Sequence, residues 1–141
     1  MRELLIVFLG GGLGSMGRYG VGRLVASSVK ESSMRESWLS MVPISTLTVN
    51  LVGCALIGLM WAWAHHHERD ATNGWMLLMV VGVLGGFTTF SSLGYETFEL
   101  MREGRAGHAI GYALGSVVLG LVCVWIAYLM GSAMLGTGRG A

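Results

Sequence analysis

Charge is what this sequence has least of. Asp, Glu, Lys and Arg make up 12% of its 141 residues, about half of what a soluble domain carries. Nine Lys and Arg nearly cancel eight Asp and Glu, leaving a formal net charge of +1. No basic footprint and no acidic tail remains, so nucleic acid is not an expected partner. Cysteine occurs twice, at Cys54 and Cys123, with no CxxC or Cys/His metal spacing. Both thiols lie in apolar stretches and read as small packing residues. Proline occurs once against 23 glycines. So much glycine is costly in soluble helices but common where membrane helices pack closely.

What is present is apolar. Hydrophobic residues make up 53% of the chain, too much for one soluble core of this size to bury. Four apolar segments, about residues 4–29, 39–64, 73–100 and 106–134, are each long enough to cross a hydrocarbon layer about 30 Å thick, which takes about 20 helical residues. The expectation is an all-α integral membrane protein with residues 1–141 as a single four-helix domain. The first segment follows Arg2, but no small-residue cleavage site appears, so it reads as a permanent span rather than a signal peptide. Four spans put both termini and the second loop on one side. Arg2, Arg69 and Arg139 lie there, against Lys30, Arg35, Arg102 and Arg105 opposite. So weak a bias does not fix orientation, and it permits two opposed copies, an antiparallel dimer.

Gly12-x-Gly14-x-x-Gly17 matches a dinucleotide-binding fingerprint, but that motif needs a strand before it and a parallel sheet around it. Flanked by membrane helix, these glycines read instead as close-packing faces. The pairs Gly10/Gly14, Gly82/Gly86, Gly111/Gly115 and Ser116/Gly120 have the small-xxx-small spacing that lets backbones approach.

Polar groups inside spans are expensive and therefore candidates for function. Asn50 sits mid-span with Thr46 and Thr48 nearby. Its amide could donate to an anion or tie two helices together. Gly85-Gly86-Phe87-Thr88-Thr89-Phe90-Ser91-Ser92 suggests that the third helix is broken at its centre, which is tolerated only where the freed backbone is buried in protein or lines an ion path. Arg18, late in the first span, either snorkels to the interface or charges a vestibule. Tyr112 and Ser116 are one turn apart and share a face. His65-His66-His67 point in three directions and read as a solvated loop. Glu96 and Glu99 are expected to close the third span at the interface rather than carry protons.

GGGLGSMGRY at 10–19, PISTLTVNLVG at 43–53 and GGFTTFSS at 85–92 followed by Glu96 together resemble the small fluoride channels of the Fluc (CrcB-like) family over nearly the whole chain. The resemblance implies a dual-topology antiparallel homodimer in the cell membrane with two fluoride pathways. It also implies a structural Na⁺ at the dimer centre, held by the carbonyls of Gly85 and Thr88. Asn50, Phe90, Ser91, Leu93, Tyr112 and Ser116 fall on the implied fluoride pathway, and Arg18 on its vestibule. Leu93 is a departure: many members have a second phenylalanine there, and leucine offers no ring edge to an anion. The implied function is passive export of cytoplasmic fluoride, with no enzymatic activity. The alternatives are a dual-topology proton-coupled exporter of small cations, which needs a membrane-embedded carboxylate, and a structural subunit of a larger complex.

Overall fold

A computed structural model describes residues 1–31, 42–67 and 74–136, with the side chains of 29–31 left aside. Arg35, Arg69 and Arg139, counted above for orientation, lie outside the described residues, as do positions 39–41 and 73 of the expected spans. All regular structure described is helical: α1 (Arg2–Glu31), α2 (Ile44–His66), α3 (Gly74–Met76), a π-helical stretch (Leu77–Leu84), α4 (Gly85–Phe87), α5 (Phe90–Arg102) and α6 (Ala106–Gly136). Gly74–Arg102 forms one span, and with α1, α2 and α6 it gives four helices long and apolar enough to cross a membrane. Helix is the expected form, because it satisfies every backbone polar group within the segment. The π winding of Leu77–Leu84 is not legible in the sequence, since Leu, Met and Val are compatible with either winding.

Glycine decides which helices touch. A Cβ on Gly10 would come within 2.8 Å of Leu78 O and 2.9 Å of Gly82 Cα, and one on Gly14 would strike Val83 O. Gly86 lies in the same way on Gly11 O. α1 and the third span therefore run in the same direction with their backbones in contact. α2 and α6 share a second such seam. Cys54 lies against Gly120, Gly58 against Val124 O, and Ala62 against Gly131. Without a hydrophobic driving force in lipid, close approach of this kind is what holds helices together. Gly111 and Gly115 have the same spacing but meet nothing within 4 Å among the described residues.

The connections are equally explicit. Pro43 immediately precedes α2 and its carbonyl accepts from Leu47 N–H, a position where proline's missing donor costs nothing. α5 ends in a Schellman turn: Arg105 N–H reaches Leu100 O at 2.9 Å and Gly104 N–H reaches Met101 O at 3.1 Å. Gly104 takes φ 76°, the left-handed region that glycine enters without penalty. At the end of α2 the expectation of a histidine loop is corrected. His65 and His66 lie within the helix and His67 caps it. His67 stacks on Trp63 one turn earlier, and His65 Nδ1 meets Tyr128 OH at 3.1 Å.

Candidate functional site

The site forms around two residues that leave helical geometry. Thr88 (φ −79°, ψ 157°) and Thr89 (φ −147°, ψ 113°) are extended between α4 and α5. Two glycines with poor helix propensity precede them, and β-branched side chains favour extended backbone. Both helix ends are capped locally. Thr88 donates its N–H and its hydroxyl to Leu84 O, each at 3.0 Å. Thr89 Oγ1 accepts from Ser92 N–H at 3.2 Å, an N-cap for α5.

Asn50 completes the arrangement from α2. Its Nδ2 donates to Thr89 O at 3.1 Å, and Thr89 N–H donates to its Oδ1 at 2.8 Å. One side chain thus satisfies both backbone groups of a residue only 8% exposed, and it keeps one of its two N–H donors. The approach is close because Gly53, one turn along α2, leaves no room for a Cβ beside Thr88 Cγ2. α1 contributes Ser15 Oγ to Gly86 O at 3.4 Å and Arg18 Nη1 to Thr88 O at 3.5 Å. Both are at the limit of hydrogen bonding.

A groove of about 390 Å³ opens beside this point, lined among others by Asn50, Gly85, Thr88, Phe90, Leu93 and Ser116. Six of the residues singled out from the sequence are therefore brought to one surface. Phe90, fixed by its neighbour Thr89, is 81% exposed, whereas Leu93 is 8% exposed and packs with Leu100, Ala109 and Tyr112. Ser91 Oγ lies 3.2 Å from Thr89 Oγ1 but does not line the groove. Ser116 Oγ is buried with no partner among the described residues, so its hydroxyl is free to donate. Tyr112 lies instead on a second groove of about 540 Å³, which Ser116 also lines.

Glu96 was misplaced by the sequence reading. α5 continues to Arg102, so Glu96 sits inside the helix rather than at its end. Thr46 Oγ1 donates to its Oε1 and Tyr112 OH to its Oε2, both at 2.6 Å. The three residues come from three helices, and no local spacing could have joined them.

Two donor sets bear on metal binding. Among the described residues no group of three or more His, Cys, Asp or Glu could hold an ion. Backbone carbonyls are a different matter. The helical donor for Gly85 O would be Thr89 N–H, which is given to Asn50 instead. Among the described residues, Thr88 O receives only the long contact from Arg18. Neutral oxygens taken off the helical ladder suit a hard cation, and Gly85 is exposed.

Known proteins resemble this chain over most of its length. The family described as CrcB-like protein, Camphor Resistance (CrcB), matches residues 5–128. A protein of Thermus thermophilus named fluoride-specific ion channel FluC is 44% identical over 136 residues, covering 96% of this chain and all of the relative. Proteins of the same name from Methylobacillus flagellatus and Helicobacter acinonychis are 38% and 42% identical, over 91% and 86% of this chain and 93% and 89% of their own.

Proposed function

Because the chain belongs to the CrcB-like family, a family of multi-pass membrane proteins, we propose that it is a fluoride-selective channel exporting cytoplasmic fluoride passively down its electrochemical gradient. The observation that carries the reading is the reciprocal Asn50–Thr89 pair, which fixes an extended Thr88–Thr89 and presents Phe90 at the edge of a groove. The extended pair acts as the functional break of the third helix. Fluoride enters by shedding water, so the path must replace hydration without trapping the ion. The remaining N–H of Asn50, the unpartnered hydroxyl of Ser116 and the positive ring edge of Phe90 supply that replacement. Leu93 lines the same groove, Ser116 joins it to the second groove where Tyr112 lies, Ser91 braces Thr89 from outside the groove, and Arg18 concentrates anions at the mouth.

The working unit is an antiparallel homodimer with two pathways, each protomer a single four-helix domain. In its support, Phe90 is largely exposed in one chain, and a Cβ on Gly111 or Gly115 would meet nothing within 4 Å among the described residues. A Na⁺ at the centre would be held by the carbonyls of Gly85 and Thr88, and would supply a fixed positive charge that keeps those oxygens apart from the anion path. Fluoride efflux from liposomes holding only the purified protein, with chloride as the control ion, tests the function. Rapid fluoride-selective efflux is expected. Efflux no faster than from empty liposomes, using folded dimeric protein, would overturn it.

A further inference from the structure

The second groove carries a titratable residue that the pathway above does not use. His108, Tyr112 and Ser116 follow one another at four-residue spacing along α6, and all three line the groove of about 540 Å³. Such spacing puts them on one helix face. Tyr112 cannot serve an anion there as a donor, because its only hydroxyl proton is given to Glu96 Oε2. The free donors on this face are therefore Ser116, whose buried Oγ has no partner among the described residues, and the half-buried ring of His108. His108 is the third residue of α6, so it stands beside backbone N–H groups that lack helical acceptors, at the positive end of the helix dipole.

We infer that His108 is the anion-collecting residue at this end of the pathway, and that fluoride entry is faster when its ring is protonated. The inference rests on the channel reading above. A protonated imidazole donates from both nitrogens and adds a full charge, whereas the neutral ring donates from one. Acid supplies that proton, so entry rises as pH falls. Protonation of His108 adds one positive charge to this face against the fixed charges that surround it. Val42, just before α2, and Leu47, on α2, line the groove, and neither titrates. On α5, Glu96 accepts from the uncharged hydroxyls of Thr46 and Tyr112 and is the same in both protonation states of His108, and Glu99 pairs with Arg102 at 2.9 Å. In the turn before α6, Arg105 pairs with Glu103 at 3.1 Å.

The test is fluoride efflux from proteoliposomes at low fluoride, where entry limits the rate, between about pH 5.5 and 8, with protein-free vesicles subtracted at each pH. One added charge at a narrow mouth raises entry by roughly 3- to 10-fold. Wild-type efflux is expected to increase by that factor toward acid, to be flat in His108→Gln, and to be flat at the higher level in His108→Lys. The wild-type ratio should also shrink toward one when about 1 M salt screens the charge, a measurement that needs no variant. A wild-type profile that conducts fluoride but does not change with pH, or an acid rise kept in His108→Gln, overturns this inference and leaves the channel reading intact. No fluoride efflux at any pH overturns both.

Discussion

Replacing Asn50 by leucine keeps side-chain size and removes both polar ends. Thr89 N–H and Thr89 O then lose their partners at 2.8 and 3.1 Å, in a residue 8% exposed. An orphaned buried backbone group costs about 1–3 kcal/mol. Asn50 borders a groove that water can enter, so the low end applies, about 2 kcal/mol for the two groups together. In a chain of this size that lowers Tm by about 4–8 °C. The penalty falls on the geometry that presents Phe90, so the conducting population drops by up to roughly 30-fold at about 1.4 kcal/mol per decade. Thermal unfolding in detergent and fluoride efflux from liposomes measure the two effects in one preparation. Asn50→Asp separates polarity from pairing. A neutral carboxyl can still accept from Thr89 N–H and donate to Thr89 O, whereas a carboxylate sets a second oxygen against that carbonyl. Its efflux should therefore recover toward acid. An Asn50→Leu protein with unchanged Tm and wild-type efflux would refute the argument that this pair holds the site.

Three further outcomes follow from the packing and the site. Phe90→Ile removes a ring edge from a residue 81% exposed; efflux should fall at least about tenfold, the order expected when one favourable contact of about 1.4 kcal/mol is lost, with Tm unchanged. Retained efflux would remove Phe90 from the pathway. Gly14→Ala, whose Cβ would strike Val83 O, should cost about 1–3 kcal/mol by overpacking. Gly12→Ala, with nothing within 4 Å, should be neutral or gain up to about 1 kcal/mol of helix propensity; equal melting temperatures for the two would contradict the α1 seam. Glu96→Gln keeps an acceptor for Thr46 or Tyr112 and removes the charge, so fluoride efflux should persist. Its complete loss would assign the carboxylate a required role in transport, as a proton-coupled exporter demands.

The four spans were legible because lipid imposes a simple rule of length and polarity on each segment separately. Gly10/Gly14 and Gly82/Gly86 were legible as packing faces for the same reason. Sequence spacing could not say which faces pair, and Gly111/Gly115 has the same pattern yet meets nothing in one chain. Asn50 stood out as an amide at depth, with tying and anion donation both open. Its two bonds to Thr89 tie α2 to the third span and still leave one N–H. The Thr46–Glu96–Tyr112 cluster was hidden, because it joins positions 50 and 16 residues apart. The histidine run was misread because Trp63 and Tyr128, which hold it, act across a helical turn and from another helix.

Asn50 stands toward Thr89 as the adjacent strand of a sheet would, offering one donor and one acceptor to an extended residue. Together with the Thr88 and Thr89 hydroxyls, it lets a loop sit deep in a bilayer while carrying its own solvation. The helix ends on either side of that loop need neither water nor lipid headgroups to remain stable. The donors left over, the second N–H of Asn50 among them, are thus free to exchange for the water around an ion.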